Sequence, residues 1–408
     1  MCLDSNHGGV KLLTFTTLYP NNVQPRHGIF IETRLRQLVA NGAARAVVLA
    51  PVPWFPSDRP LFRSWATYAR VAREEERHGL RVLHPRYPVI PWIGMNAAPF
   101  LLAWPTLRAA RRLIADGYDF DMIDAHYLYP DGVAAAIVGQ RLSKPVVISA
   151  RGSDVNLLPR YHVPRKLIQW AARRAQHVLA VSQALRNRLV ELGVEQEKIS
   201  VLRNGVNTQL FLPLPRARLR KRLGLGGQVL LSVGNLVSVK GHDLAVAALP
   251  YLPDATLVIV GDGPERGSLQ TLADRLGVRG RLRLLPPMPQ ETLREYYNAA
   301  DVLILASQNE GWPNVLLEAM ACGTPVVASR VGGVPEVVGA PEAGRLLTDR
   351  TPRKLADSVH DLLVAYPDRN ATRRYAQQFG WEEVSESQMR LYRQVIGRHR
   401  AASSQPRA

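Results

Sequence analysis

Two glutamates, Glu310 and Glu318, stand with seven residues between them within residues 301–333, DVLILASQNEGWPNVLLEAMACGTPVVASRVGG. The stretch reads as strand, loop, short helix, strand and glycine turn. Pro313 suits a first helical position, where its fixed φ fits and its missing N–H costs nothing. Gly323 follows the apolar run LLEAMA as a stop signal. The helix between them points its start at the loop 309–312, with Glu310 on the loop, Glu318 inside the helix and helix-start amides between. Carboxylates accept hydrogen bonds from sugar hydroxyls, and helix-start N–H groups hold anions. A sugar carried on a nucleoside diphosphate offers both. Two solvated glutamates are the plain alternative, and the strand–loop–helix–strand setting weighs against it.

The elements that must position this pair come in two alternating series of short apolar runs and amphipathic stretches, the pattern of parallel sheets with crossover helices. The first series places strands near 11–16, 46–50, 122–125, 145–149, 178–181 and 200–202; the second near 229–233, 256–260, 281–285, 302–305 and 325–328. Two doubly wound, Rossmann-like α/β domains follow. FLPLPR, residues 211–216, reads as the hinge. The expected division is therefore 1–212 and 213–380, with a final helix after Trp381.

In such sheets ligands gather at the carboxyl ends of strands. Gly28 precedes a helix after the first strand, either admitting a phosphate or simply turning the chain. His126 ends the strand MIDA and is placed to face a cleft, although a lone histidine is more often structural. The loop Arg151, Gly152, Ser153, Asp154 follows VVISA and suits sugar or phosphate hydroxyls. In the second domain Gly234 ends a strand and Lys240 follows in a loop, a compact positive charge for a diphosphate. Gly261 and Gly263 form a tight turn with Gly267; this spacing misses the dinucleotide fingerprint by one residue.

Composition is that of a soluble enzyme: 408 residues, 46% hydrophobic, 21% charged. Cys2 and Cys322 make no disulfide framework, and the first residues carry no signal-peptide pattern, so a cytoplasmic setting is expected. The formal net charge is +18, and residues 1–212 hold 27 Lys and Arg against 15 Asp and Glu. Such a basic half faces nucleic acid, an anionic membrane or a phosphorylated substrate. No zinc-ligand spacing or RNA-binding aromatic signature is present, which makes nucleic acid the weakest. Residues 87–107 contain no charge, but Pro88, Pro91, Pro99 and Pro105 argue against a spanning helix. The stretch is either core or, with Trp92, Trp104 and the following Arg108, Arg111 and Arg112, a surface for the membrane interface.

The set VGDGPER, YYNAADVLILAS, EGWPNVLLEAMACGTPVVAS and VGGVPE resembles the retaining GT-B glycosyltransferases of family 4, formerly glycosyl transferases group 1. The resemblance covers nearly the whole chain. YPNNVQPRHGIFIETRL and RGSDVN look like the bacterial subgroup that builds exopolysaccharide, teichuronic-type or lipid-linked glycans. It implies two facing Rossmann domains, donor on the second, acceptor on the first, and a last helix crossing back to the first. Glu310 then resembles the glutamate that contacts the donor sugar, and Glu318 the one that binds ribose. Gly311, Trp312, Pro313, Asn314 and Val315 match the segment giving contacts to sugar and β-phosphate. Lys240 matches the diphosphate lysine and His126 the histidine that reaches the donor sugar; Arg151 to Asp154 fall to the acceptor. Asn235 stands where the family has an arginine, leaving Arg203 or another cation to compensate.

The expected reaction is transfer of a sugar from a nucleoside-diphosphate sugar to a glycan or lipid-diphosphate-linked acceptor, at the inner face of the membrane. It needs no cofactor and no metal, because Lys240 and helix N-termini stabilise the departing phosphate. A noncatalytic sugar-nucleotide-binding protein and an NAD-dependent oxidoreductase are the alternatives. The second lacks a proper fingerprint after its first strand.

Overall fold

The computed structural model describes residues 9–40, 42–59, 61, 64–89 and 94–404. The chain forms two compact units, Met1–Arg203 with Glu382–Ala408, and Asn204–Trp381.

The sheet of the second unit runs Leu282–Leu285, Ala255–Val260, Gln228–Val233, Val302–Leu305, Val326–Ser329, Gly344–Leu347, and every neighbouring pair is parallel. Numbered along the chain, this is the doubly wound order 3-2-1-4-5-6. The winding reverses between Gln228–Val233 and Val302–Leu305, and the loops leaving those two strands diverge to open a crevice. The strands Val302–Leu305 and Val326–Ser329 are buried throughout, as a parallel sheet covered on both faces requires.

The first unit repeats the plan. Its order is Ile199–Val201, His177–Ala180, Val146–Ala150, Met122–His126, Val10–Phe15, Ala44–Leu49, Leu80–Leu83, Glu74–Arg77, and only the last pair is antiparallel. Here the winding reverses between Val10–Phe15 and Met122–His126. The α/β class with two Rossmann-like units is the one expected from the alternating runs.

Four details depart from the expectation. The hairpin Glu74–Arg77 and Leu80–Leu83 was not foreseen, because EEER is too charged to read as a strand. Charge is tolerated there since the strand is an edge. His78 and Gly79, with φ of 51° and 76°, make the two-residue turn whose twist suits a hairpin. The edge strand Gly344–Leu347 was likewise missed.

The expected hinge lies inside the second unit. Backbone carbonyls of Leu210, Phe211 and Leu212 accept from Arg294, Arg373 and Asn298, each at 3.1 Å, and Phe211 packs edge-on against Tyr297. The division falls at 203/204 instead of 212/213 for that reason.

Pro99 and Pro105 do not break the helix Gly94–Ala115. Pro99 removes the N–H that would serve the Met95 carbonyl, and the Tyr129 hydroxyl donates to that carbonyl in its place. No described helix is long and apolar enough to cross a membrane.

Finally, the helix Trp381–Ser404 returns to the first unit. Met389, Tyr392, Val395 and Ile396, one face at helical spacing, pack with Leu12, Leu38, Met122, Val147 and Leu179.

Candidate functional site

Lys240 and Glu310 come together at the reversal point of the second unit. Lys240 ends the short turn Ser238–Lys240 after the first strand of that sheet, and Glu310 sits in the loop after Val302–Leu305. The two loops are joined by the Gln308 amide, which donates to the Val239 carbonyl at 2.8 Å. Gly241 makes this approach possible: at φ 66°, a Cβ there would lie 2.1 Å from the Ala306 carbonyl oxygen. The Lys240 ammonium donates to Glu310 Oε1 at 2.7 Å, and the Ser307 hydroxyl donates to the same oxygen at 2.7 Å. Glu310 is 9% exposed. Among the described residues both side-chain donors bond Oε1, which leaves Glu310 Oε2 with acceptor capacity for further hydroxyls.

Glu318 lies on the helix Asn314–Ala321, which starts directly after this loop. Tyr297 donates its hydroxyl to Oε2 at 2.7 Å, and Gln290 approaches Oε1 at 3.5 Å. Burial pushes the Glu318 carboxyl up to about 7, against the pull of the Tyr297 and Gln290 hydrogen bonds. The pair thus divides in character: Glu310 carries a lysine counter-charge, whereas Glu318 is held by neutral donors. The helix-start amides of Asn314 and Val315 have no partner within the helix, as at any helix start.

Pro313 is the residue before the helix, with φ −84° and ψ 87°, not its first position. Trp312 is turned inward. Its indole is 7% exposed, donates to the Asn204 carbonyl at 3.0 Å and packs on Phe379. It anchors the loop that carries Glu310 and Gly311, both buried. Asn314 accepts from the Asn204 side chain at 3.2 Å.

The glycines have packing reasons. A Cβ on Gly261 would lie 1.9 Å from the Gly234 carbonyl oxygen, one on Gly263 2.4 Å from that of Leu236, and one on Gly28 2.2 Å from that of Leu18. These contacts account for glycine there without a ligand. The side chain of Asn235 is exposed at the reversal point, and its carbonyl lies 3.2 Å from His242 Nε2. Arg203, also exposed, closes the first unit.

In the first unit His126 does end its strand, but its ring is buried at 1% exposure instead of open. Residues two apart on a strand share a face, so Asp124 stands beside it, with Oδ2 3.3 Å from His126 Nε2. Arg151, from the end of the adjacent strand, brings Nη2 to 2.5 Å from Nδ1. Burial lowers the His126 pKa, with Asp124 opposing and Arg151 assisting. Asp154 is committed to the backbone, accepting from the amides of Leu128, Arg151 and Gly152. Of the loop 151–154 only Ser153 is exposed.

Sequence reasoning missed Ser307, Tyr297 and Gln290, the neutral donors to the two glutamates. It also missed Asp131, whose buried carboxylate accepts from Thr16 and Thr17 across the reversal point of the first unit. Ser307 and Tyr297 lie within motifs already singled out, but nothing in their spacing marks which side chain turns inward. Among the described residues no group of three or more His, Cys, Asp or Glu is placed to hold a metal ion.

The family model for glycosyl transferases group 1 matches residues 216–379, and that for glycosyltransferase family 4 matches residues 95–210. TuaC of Bacillus subtilis (strain 168), a glycosyltransferase assigned to teichuronic acid biosynthesis, is 31% identical over 358 residues, covering 86% of this chain and 88% of its own. Among solved structures, sucrose-phosphate synthase from Thermosynechococcus elongatus superposes with a TM-score of 0.77 at 21% identity, over 95% and 99% of the two chains. Anabaena HepE in complex with UDP gives 0.68 at 21% identity, over 93% and 98%.

Proposed function

The chain belongs to the group 1 glycosyl transferases and is a glycosyltransferase of GT-B fold; from that premise we propose that its second unit holds a nucleoside-diphosphate sugar through Lys240, Glu310 and Glu318. The observation that carries this reading is the Lys240–Glu310 contact of 2.7 Å at the reversal point of the sheet. A cation suited to a diphosphate lies beside a carboxylate suited to sugar hydroxyls, next to a helix start that favours anions, and this supports the reading. Glu318, farther into that helix, takes the ribose hydroxyls. HepE, of the same fold, is a protein captured with UDP.

Bond breaking at the anomeric carbon puts charge on the leaving diphosphate. Lys240 is then drawn from Glu310 toward the phosphate and stabilises the departing charge. The configuration at that carbon is retained, as the resemblance implies, and the first unit presents the acceptor. The likeness to TuaC supports a glycan or lipid-linked acceptor in cell-surface polysaccharide synthesis. An excess of twelve positive charges in residues 1–212, together with Trp104 and the arginines after it, supports work at an anionic membrane surface. Trp92 lies outside the described residues.

A panel of nucleoside-diphosphate sugars, assayed for release of the nucleoside diphosphate, tests the enzymatic reading. One donor turned over by the wild-type chain and not by Glu310→Gln or Lys240→Ala is the expected result. Donor binding without release, across acceptors, would favour the noncatalytic alternative. Co-sedimentation with anionic but not neutral vesicles is the expected membrane result.

A further inference from the structure

Between the helix Gly94–Ala115 and the edge hairpin of the first unit lies a concavity of about 500 Å³ whose charged lining is mostly arginine. Two of these arginines have acids: Arg81 bonds Glu74 at 2.6 Å, and Arg112 lies 3.8 Å from Asp116. Arg73, Arg86 and Arg108 line the same space, and none has a carboxylate partner among the described residues. Arg86 donates one N–H to the Val71 carbonyl, while its Nη1 is buried with no acceptor. A buried guanidinium N–H without an acceptor has lost its water and gained nothing in return. Burial, and then the charge of Arg73, push the Arg86 guanidinium down. Like charges gathered without a counter-ion raise the local potential for an anion.

The helix beside the concavity is two-natured. Phe100, Trp104, Arg108 and Arg112 follow one another at a four-residue spacing, so they form one stripe. Phe100 is 54% and Trp104 69% exposed, and Trp104 also lines the concavity. Apolar rings at one end and arginines at the other match the boundary between lipid tails and headgroups.

We propose that this concavity binds the phosphate of a membrane lipid, with Arg73, Arg86 and Arg108 donating to its oxygens and Trp104 and Phe100 in the apolar layer beside it. The proposal deepens the membrane reading above and rests on it: it turns a diffuse basic surface into a site with a defined ligand. Arginine forks suit phosphate oxygens, and the exposed Arg73 and Arg108 are free to turn theirs toward such a group.

The test uses the full chain with phosphatidylcholine vesicles, alone or containing phosphatidic acid, and with soluble dihexanoyl phosphatidic acid in the absence of vesicles. Wild type should bind the phosphatidic acid vesicles and bind the soluble lipid saturably, one per chain. Arg108→Gln and the double variant Arg73→Gln/Arg86→Gln should each weaken both by on the order of tenfold. Arg111→Gln removes the same charge from the same helix outside the concavity, and should change binding by less than about twofold. Arg108 is exposed, so its replacement leaves the fold intact even if the double variant melts early. Equal losses in Arg108→Gln and Arg111→Gln would overturn the site while charge-driven membrane binding stood. Inorganic phosphate binding as tightly as the soluble lipid would overturn the lipid assignment. Wild type ignoring anionic vesicles and the soluble lipid alike would overturn both the site and the membrane reading.

Discussion

Lys240 and Glu310, seventy positions apart in the chain, form a 2.7 Å ion pair because their loops leave the two strands between which the second sheet reverses its winding. The lysine side chain keeps 29% of its exposure and the glutamate 9%. The pair therefore sits at a mouth, where an incoming phosphate can compete for the ammonium. Ser307 holds Glu310 in place if Lys240 leaves.

Replacing Lys240 by Ala should lower turnover by on the order of 100-fold, the usual scale for one charge-stabilising donor in the reacting site. Lys240→Arg should recover only part, since a fork does not reproduce a compact ammonium. Steady-state rates with a saturating donor check this. A variant that keeps full turnover would show that the diphosphate is held elsewhere.

Glu318 should make donor binding pH-dependent. Its folded pKa of about 7 lies above the ordinary 4.5, so the empty protein favours the protonated form. Ionisation then costs stability progressively as pH rises from about 4.5 to 7. Ribose hydroxyls need the ionised acceptor, so nucleotide affinity should rise roughly tenfold between pH 6 and 8. Glu318→Gln should flatten the profile and weaken binding by about 1–3 kcal/mol. Calorimetric titration at each pH checks both slopes.

If Lys240 and a helix start supply the positive charge at the leaving group, as proposed, transfer should survive exhaustive chelation. Rates measured after EDTA treatment, with and without added magnesium or manganese, check this. Loss of activity restored by a divalent ion would mean that a metal takes the role given to Lys240.

The returning helix should be part of the core of the first unit. Ile396 is 7% exposed and packs in the cluster with Leu12 and Met122. Ile396→Ala should cost about 2–4 kcal/mol, read as an early melting transition. Substituting Glu383, exposed near the start of the same helix, should change stability by less than about 0.5 kcal/mol.

Much of the framework was legible because buried parallel strands are almost entirely apolar. VLIL and VVAS in the second unit, and VVISA in the first, stand out for that reason. The edge strands were not legible: EEER is all charged, and GRLL opens on a glycine and an exposed arginine before its one buried residue, Leu347. Lys240, Glu310 and Glu318 could be chosen from the motifs, but their partners could not. Tyr297 and Ser307 act through inward orientation, which depends on packing and not on spacing. His126 differs from the expectation in its exposure alone. Its strand end was read correctly, but Asp124 and Arg151, neighbours through sheet pairing, enclose the ring.

The central claim is that Lys240 serves the diphosphate and Glu310 the sugar. Titrating the wild-type chain, Lys240→Ala and Glu310→Gln with the preferred nucleotide-sugar and with its nucleoside diphosphate tests it most directly. Lys240→Ala should weaken both ligands together, whereas Glu310→Gln should weaken the nucleotide-sugar and leave the nucleoside diphosphate within about twofold of wild type. Equal affinities for both ligands across all three proteins would contradict the account.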